Sequence, residues 1–338
     1  MDVIKSKEIQ LISRPIGEPI KENFLVEEVE ISHLPENEVL VKNLWMSVDP
    51  YMRGRMIDRK SYVPPFELGK TLEGGAIGVV IESKSSDFKE GDFVNSNFGW
   101  REYFTSKAKY LKRVNPDIGP LQAYLGTLGM PGMTAYVGLL RIGELREGDK
   151  VLISAAAGAV GTVASQIAVA KGCDVYGTAG SDDKCKFLES ELGLTKAINY
   201  KTCGHLTKAL HGACPEGIDV YFENVGGSHL EAALSVMNSN GRIALCGMIE
   251  QYNDTTPRPG PNNLMAAIAK SLKIQGFIVS NHSDLSEKFL SDMKLWIDAG
   301  KMQWKETIDE GIESAPDAFL KLFKGQNFGK MLVRISEE

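Results

Sequence analysis

Cysteine is scarce in this 338-residue chain and is absent from its first half. The five cysteines begin at Cys173, and no two of them are separated by only two residues. An odd number of cysteines without a CxxC pair is not the pattern of a disulfide framework. Because free thiols persist in reducing compartments, this pattern predicts a cytoplasmic protein.

Basic runs and long apolar runs are also missing. Lys and Arg number 38 against 44 Asp and Glu, a net charge of −6, so the chain lacks the positive surface of a nucleic-acid binder. The uncharged stretch worth testing as a membrane span, residues 151–170, has Gly158 and Gly161 at its middle and predicts a strand, a turn and a helix instead. The opening sequence MDVIKSKEIQ is charged and predicts no signal peptide. We therefore expect no nucleic-acid partner and no membrane partner.

The first 120 residues predict a small β-rich domain. Short segments of apolar and β-branched residues cover 38–44, 76–82 and 93–95. Turn residues such as Pro64-Pro65 and Gly74-Gly75 separate them. We interpret this region as a mostly antiparallel β domain.

Apolar strands alternate with helical segments from Val151 onward. The predicted strands cover residues 151–155, 173–179, 196–200, 218–225, 242–247 and 273–279. This alternation is typical of βαβ units and predicts an α/β fold with a doubly wound parallel sheet of Rossmann type. We expect the Rossmann domain to span residues 123–300 and the β-rich domain to combine residues 1–122 with 301–338.

A helix is predicted over residues 284–299, with Phe289 and Met293 on its apolar face. Asp284 and Glu287 have the spacing of a capping box at its start. A further helix over 314–324 and a final strand over 331–335 complete the chain.

The segment Ala156-Ala157-Gly158-Ala159-Val160-Gly161 lies between the first predicted Rossmann strand and a helix that runs to about Lys171. This is the dinucleotide-binding fingerprint with alanine at the first glycine position. Gly158 lets the backbone approach a pyrophosphate, Gly161 lets the helix pack on the strand, and the helix N-terminus offers free N–H groups. A tight structural turn between strand and helix is the alternative interpretation.

The end of the second predicted Rossmann strand indicates which dinucleotide is bound. Enzymes that use NAD place a carboxylate there, whereas residues 176–181 (YGTAGS) contain no acid. Asp182 and Asp183 follow in the first helical turn, where the helix dipole explains them. Ser181 and Lys184 can contact a 2′-phosphate, which predicts NADPH rather than NADH. A solvated helix lysine is the alternative for Lys184.

The chain lacks the ligands of the zinc alcohol dehydrogenases, which need thiolates and an imidazole around the metal. No cysteine precedes Cys173, and the segment Thr71-Leu72-Glu73-Gly74 has Leu72 where those enzymes have histidine. A cluster in the second half fits no common zinc spacing; its members are Cys203, His205, His211 and Cys214. We expect no metal site. The other three histidines are interpreted as surface residues: His33, His229 and His282.

Five motifs in sequence order resemble the zinc-independent medium-chain dehydrogenase/reductases. They are residues 49–53 (DPYMR), 129–136 (GMPGMTAY), 155–161 (AAAGAVG), 223–227 (ENVGG) and 325–330 (GQNFGK). The resemblance covers about residues 14–335 and is closest to the branch of alkenal double bond reductases, prostaglandin reductases and curcumin reductases. Residues 51–55 followed by 61–65 (SYVPP) look most like the curcumin reductase type. For the β-rich domain, the resemblance implies a GroES-like fold.

The resemblance also implies the reaction and the site. The reaction is NADPH-dependent reduction of the C=C bond of an α,β-unsaturated ketone or aldehyde. Together with Ser181, the expected cofactor-binding residues are Gly158, Ala159, Val160, Gly161, Lys184, Tyr200, Asn224, Cys246, Gly247, Met248, Ile249, Tyr252, Phe277, Ile278, Val279 and Asn327. The catalytic candidates are Tyr252 and Tyr51, and the expected substrate pocket includes Tyr51, Tyr62 and Met130. The family often has serine at the position of Glu250.

A phenol suits the expected chemistry. Hydride transfer to the β-carbon places negative charge on the carbonyl oxygen, and the α-carbon must then receive a proton. A tyrosine is neutral at pH 7 and can donate a hydrogen bond to that oxygen. Tyr252 or water could supply the α-proton. The alternatives are that Tyr252 only packs within its loop and that Tyr51 only anchors a core.

Other functions share this fold. A zinc-independent quinone reductase would carry the same cofactor domain, and a non-catalytic nucleotide-binding protein could use it without turnover. Oxidation of alcohols to ketones is disfavoured by the missing zinc ligands. The resemblance further implies a homodimer that pairs through the edges of the Rossmann sheets, near residues 242–247 and 273–279.

Overall fold

The computed structural model describes residues 3–337, which form two units. The β-rich unit comprises residues 3–125, 306–327 and 331–337. The Rossmann unit comprises residues 126–305 and 328–330. The chain therefore passes from the first unit into the second and returns near its end.

The described residues form fifteen strands and nine α-helices. The strands are β1 (Ile4–Leu11), β2 (Phe24–Ile31), β3 (Glu38–Ser47), β4 (Ala76–Ser83), β5 (Phe93–Ser96), β6 (Tyr103–Lys107), β7 (Lys112–Arg113), β8 (Lys150–Ile153), β9 (Asp174–Ala179), β10 (Lys196–Asn199), β11 (Ile218–Glu223), β12 (Met237–Leu245), β13 (Lys273–Gly276), β14 (Glu306–Glu310) and β15 (Lys330–Arg334). The helices are α1 (Tyr51–Arg55), α2 (Met130–Val137), α3 (Ala159–Ala170), α4 (Asp182–Ser190), α5 (Leu206–Ala213), α6 (Gly227–Val236), α7 (Met265–Ala269), α8 (Ser286–Asp298) and α9 (Ala315–Phe323). Within residues 3–337, every helix is too short or too polar to span a bilayer.

The β-rich unit is built on antiparallel strands, as its turn-rich sequence predicts. One sheet follows the order β14-β15-β3-β4-β5-β7, with β6 also paired to β3, and β1 pairs with β2 in a separate ribbon. The core of the unit contains a group of aromatic rings: Phe24 stacks on Trp100 at 6.1 Å, and Phe319 of α9 meets Trp100 edge-on at 6.2 Å. Large aromatic rings bury much apolar surface, so α9 is held in this unit by its packing.

The Rossmann unit contains a six-stranded sheet in the order β10-β9-β8-β11-β12-β13. Every neighbouring pair is parallel, which confirms the predicted doubly wound sheet. The central strands read as continuous apolar runs because helices cover both faces of such a sheet. Val151, Leu152 and Ile153 of β8 and Val220, Tyr221 and Phe222 of β11 are accordingly buried.

Two predicted elements differ from the structure in this unit. The strand predicted over 273–279 ends at Gly276, and residues 279–285 form a 3₁₀ turn instead. The predicted capping box at Asp284 is wrong, because α8 begins at Ser286 without a side-chain cap. The carboxylate of Asp284 instead receives two hydrogen bonds from Arg141, at 2.9 and 2.7 Å. A bidentate tertiary ion pair has replaced a local cap. Phe289 and Met293 are buried on α8, as the periodicity predicts.

Candidate active site

The candidate site lies at the carboxyl ends of the parallel strands in the Rossmann unit. Ser154 follows β8, Asn224 follows β11, and the segment Cys246–Glu250 follows β12. These ends meet at one edge because all six strands run in the same direction, and ligands of doubly wound sheets bind at this edge.

The glycine-rich turn has the geometry that a dinucleotide cradle requires. Gly158 is the N-cap of α3, and Ala159 and Val160 are the first two residues of that helix. A Cβ atom on Gly161 would lie 2.3 Å from the carbonyl oxygen of Ala155, so only glycine permits this contact between helix and turn. The N-terminus of α3 presents backbone N–H groups without helical partners, and these suit a pyrophosphate. The residues present therefore fit a dinucleotide.

Two further features define the shape of this turn. Ala155 adopts a left-handed conformation (φ 47°), which is uncommon for a residue with a side chain. The N–H of Gly329 donates to the carbonyl oxygen of Ala157 at 2.9 Å, and Gly329 forms a β-bridge with Gly158. The C-terminal GQNFGK motif thus contributes Gly329 to the back of the turn, a contact that we did not predict.

Asn224 is held by a network centred on Ser154. The Asn224 side-chain amide donates to the Ser154 carbonyl at 2.7 Å, and its backbone N–H donates to Ser154 Oγ at 2.8 Å. Ser154 Oγ in turn donates to the buried carboxylate of Glu223 at 2.7 Å. Burial raises the pKa of Glu223, although N–H donors from Val225 and Gly226 stabilise its charged form. Sequence analysis selected Asn224 but missed Ser154 and Glu223, which fix its orientation.

The segment after β12 runs beside the ENVGG motif. The N–H groups of Cys246 and Gly247 both donate to the carbonyl oxygen of Glu223, at 2.9 and 3.1 Å. The N–H of Ile249 donates to the carbonyl of Asn224 at 3.2 Å. Burial and the negative charge of Glu223 raise the pKa of the Cys246 thiol to about 12, so this thiol is protonated at neutral pH. Residues 246–249, which we call the wall, therefore form an uncharged stretch beside Asn224 that is held by backbone hydrogen bonds.

Tyr252 lies over this wall. The N–H of Met248 donates to the Tyr252 hydroxyl oxygen at 3.4 Å. A Cβ atom on Gly247 would lie 3.2 Å from the same oxygen and 3.4 Å from the Asn224 carbonyl oxygen. The absence of a side chain at position 247 thus lets the phenol approach the backbone beside Asn224.

A second group of residues forms a corner at the ends of β9 and β10, which we call the phosphate corner: Ser181, Lys184, Tyr200 and Lys201. Ser181 caps α4 by accepting the Lys184 N–H at 3.3 Å. A Cβ atom on Gly180 would lie 3.2 Å from the Tyr200 hydroxyl and 3.3 Å from Lys201 Cε. Burial and the charge of Lys201 lower the pKa of Lys184. Sequence analysis missed Lys201, although its position next to Tyr200 could have indicated it.

One histidine differs from its predicted position. His229 is not a surface residue: it is 5% exposed, and neither ring nitrogen has a hydrogen-bond partner. Its ring meets that of Tyr200 edge-on, with centroids 4.9 Å apart. Burial lowers the pKa of His229 to about 4, an effect that the charge of Glu250 opposes.

Phe277, Ile278 and Val279 follow β13 and are half-buried. The Phe277 ring meets that of Phe222 edge-on at 6.5 Å. A Cβ atom on Gly138 would lie 2.8 Å from the Phe277 ring, so this aromatic side chain packs on the backbone of the turn after α2.

The remaining predicted residues lie on separate parts of the chain. In the β-rich unit, Tyr51 begins α1 and packs against the aromatic core, while Tyr62 is 63% exposed on the following loop. Burial raises the pKa of Tyr51, and Asp49 and Tyr62 raise it further. Asn327 is half-buried in the same unit. Met130 begins α2 of the Rossmann unit and is 42% exposed.

The described residues 3–337 contain no group of three or more His, Cys, Asp or Glu side chains that could hold a metal ion. Cys214, from the unassigned cysteine and histidine cluster, is buried in the apolar core between the sheet and α5.

Comparisons with known proteins agree with this architecture. Residues 7–114 match the family described as the N-terminal domain of oxidoreductase, and residues 159–294 match the family described as zinc-binding dehydrogenase. The NADPH-dependent curcumin reductase of Escherichia coli (strain K12) is 40% identical over 96% of each chain. The 2-alkenal reductase (NADP⁺-dependent) of Nicotiana tabacum is 42% identical over 99% of each chain. The crystal structure of CurA in complex with NADPH from Vibrio vulnificus has 39% sequence identity and a TM-score of 0.93, covering 98% of this chain and 100% of that one.

The fold and the candidate site define an oxidoreductase with a dinucleotide-binding Rossmann unit. The chain belongs to the zinc-independent alkenal double bond reductase branch of the medium-chain dehydrogenase/reductase family, and it is an NADP-dependent enzyme.

Proposed function

We propose that this enzyme uses NADPH to reduce the C=C bond of α,β-unsaturated ketones and aldehydes. The observation that carries the proposal is the Tyr252 phenol, which lies over the Gly247-Met248 backbone beside Asn224. The curcumin and 2-alkenal reductases named above support this substrate class.

The cofactor is proposed to lie along the carboxyl edge of the Rossmann sheet. The turn from Gly158 to Gly161 would hold the pyrophosphate, because the α3 N-terminus supplies N–H donors there. The phosphate corner would hold the 2′-phosphate through Lys184, Lys201 and the Tyr200 hydroxyl. Asn224 and the wall after β12 would orient the ribose and nicotinamide. The chemistry that the bound cofactor supplies is a hydride for the β-carbon of the substrate.

Tyr252 is proposed to assist by donating a hydrogen bond. A phenol that accepts one hydrogen bond, as Tyr252 does from Met248, still carries its own O–H donor. Directed at the substrate carbonyl oxygen, this donor stabilises the negative charge that develops there. Tyr252 or water then supplies the proton to the α-carbon. Residues 246–249 carry no charge that would compete with the Tyr252 hydroxyl for the substrate carbonyl, since the Cys246 thiol is protonated.

The experiment is a substrate panel read out by NADPH oxidation and by mass analysis of the product. The panel contains a long-chain 2-alkenal, an aryl-conjugated enone such as curcumin, a simple quinone and a saturated aldehyde, each repeated with NADH. We expect the enones alone to be reduced, with a saturated C–C bond in the product and a strong preference for NADPH. Turnover of the quinone alone would assign a quinone reductase, and binding of NADPH without any turnover would assign a non-catalytic binding protein.

We also propose that the protein is a cytosolic homodimer. All five cysteines are free thiols, as expected in a reducing compartment. In the Rossmann sheet β13 is an edge strand, whose unpaired backbone groups can pair with a second copy. Leu264, Met265 and Ile268, on and next to α7, are large apolar side chains that are more than half exposed. Light scattering should give the mass of a dimer, and Ile268→Lys should shift it toward the monomer.

A further inference from the structure

A carboxylate, that of Glu250, lies near the phosphate corner. Glu250 follows the wall after β12, and its Oε1 accepts a hydrogen bond from Arg258 Nη1 at 2.7 Å. Its Oε2 lies 3.3 Å from Ser228 Oγ, which donates to it. A Cβ atom on Gly227 would be only 2.6 Å from this carboxylate. Glu250 is therefore fixed against the first turn of α6 rather than extended into solvent.

This position is next to the phosphate corner. Gly227, Ser228 and His229 are consecutive at the start of α6, and the His229 ring contacts the Tyr200 ring. The charge of Glu250 also raises the pKa of the Tyr200 phenol, which places the two groups within electrostatic reach. A 2′-phosphate bound at Tyr200 would therefore experience the Glu250 charge.

Arg258 balances that charge. Its guanidinium contacts Glu250 through Nη1 and Asp254 through Nη2 at 2.8 Å, so that it bridges two carboxylates of the loop that carries Tyr252. The two lysines of the phosphate corner come from other elements: Lys184 lies on α4, and Lys201 follows β10. Without Arg258, the Glu250 carboxylate beside this corner would keep its hydrogen bond from Ser228 but would lose its ion pair.

We propose that the Glu250–Arg258 ion pair determines how strongly the enzyme discriminates NADPH from NADH. Glu250 is the selectivity residue, because its charge opposes the 2′-phosphate, and Arg258 is a positioning residue that neutralises it. This proposal rests on the assignment of the 2′-phosphate to the phosphate corner. This repulsion between the Glu250 carboxylate and the 2′-phosphate affects only the phosphorylated cofactor, since NAD has an uncharged hydroxyl at the same position.

The test is the affinity of the protein for NADP⁺ and NAD⁺, measured by calorimetry without any turnover. The variants are Arg258→Gln, Glu250→Gln and the double variant. Lys294→Gln is the matched control, because it also removes one cation of an exposed ion pair, with Asp298, in the same unit. The fragments 2′,5′-ADP and 5′-AMP serve as second probes, since they report on the phosphate corner alone.

We expect Arg258→Gln to weaken NADP⁺ binding about five-fold, as one uncompensated charge at partial exposure and physiological salt would do, with NAD⁺ affinity little changed. Glu250→Gln should strengthen NADP⁺ binding by a similar factor, and the double variant should return close to wild type. Lys294→Gln should change neither affinity.

Two outcomes would overturn the proposal. Equal losses of NADP⁺ and NAD⁺ affinity in Arg258→Gln would show that the ion pair only holds the loop. Failure of the double variant to recover NADP⁺ affinity would show that the Glu250 charge is not what Arg258 compensates. A separate result would show that the 2′-phosphate does not bind at the phosphate corner. In that case replacement of Lys184 would leave NADP⁺ affinity unchanged, whatever the Arg258 variants do.

Discussion

The ring of His229 meets the ring of Tyr200 edge-on, with 4.9 Å between their centroids. His229 carries no hydrogen-bond partner on either nitrogen and is almost completely buried. A residue that the sequence indicated as a surface histidine is therefore part of the support beneath the phosphate corner, and this has a consequence for acid stability.

The folded protein should lose stability between pH 6.5 and pH 4 because of His229. Burial lowers its pKa to about 4 in the folded state, whereas the unfolded chain titrates near 6.5. As pH falls through this window the unfolded state binds a proton that the folded state does not, so the free energy of unfolding decreases, by up to roughly 3 kcal/mol. Urea unfolding at a series of pH values should show this decrease in the wild type and a smaller one in His229→Leu. The exposed His211→Leu variant should keep the wild-type slope, and equal slopes in all three would contradict the prediction.

Ser154→Ala should destabilise the Rossmann unit. The hydroxyl donates to the buried Glu223 carboxylate and accepts the Asn224 N–H, so its loss leaves both groups without that partner. An unsatisfied buried group of this kind costs about 1–3 kcal/mol. Chemical denaturation at pH 7 measures the change, with Ser190→Ala on the exposed face of α4 as control. A Ser154 variant as stable as wild type would mean that water replaces the hydroxyl.

Gly161→Ala should abolish cofactor binding and lower the melting temperature. The added Cβ atom would lie 2.3 Å from the Ala155 carbonyl and 2.7 Å from Ala156 Cα, so the helix and the turn must separate. Overpacking of this kind costs about 1–3 kcal/mol. Gly212→Ala on α5 is the control, since nothing lies within 4 Å of its Cβ position and alanine is the better helix former. The assignment of the cradle would be wrong if Gly161→Ala bound NADP⁺ normally.

Lys184→Ala should weaken NADP⁺ binding about ten-fold or more and leave NAD⁺ binding almost unchanged. A charge-assisted contact to the 2′-phosphate is lost, and NAD has no phosphate there. Lys186→Ala, two residues further along the same helix and exposed, is the matched control. Calorimetric titration with both dinucleotides gives the result. Equal losses of NADP⁺ affinity in the two lysine variants would show that Lys184 does not bind the 2′-phosphate.

Tyr252→Phe should lower kcat about ten-fold or more toward an enone while NADP⁺ affinity stays within a small factor of wild type. The substitution removes only the hydroxyl proposed to stabilise the charge on the carbonyl oxygen, and one acid–base group supplies about this much rate. Steady-state kinetics with a 2-alkenal, beside Tyr110→Phe as an exposed control, measures the change. Unchanged kcat would leave water as the proton donor and Tyr252 as a packing residue.

Local features of the sequence were sufficient for the overall architecture. The alternation of apolar strands with helices predicted the parallel sheet, and the fingerprint around Gly158 and Gly161 predicted the turn at the start of α3. Both are local signals. A strand that is buried on two faces requires a run of apolar residues, and a helix that packs closely on a strand requires a glycine. The five motifs further indicated the family, because they hold their order along nearly the whole chain.

Contacts between distant segments were decided only by the tertiary structure. Ser154 and Glu223 are 69 residues apart, and nothing in either local sequence shows that they share a hydrogen bond. Asp284 has the sequence of a helix cap but pairs with Arg141, which lies 143 residues away along the chain. His229 of α6 is buried, and its ring contacts that of Tyr200, which follows β10. The sequence by itself determined which elements form and which cofactor chemistry they suit. Only the packing of those elements decided which polar groups meet, because burial and hydrogen-bond partners depend on segments that the chain brings together after they form.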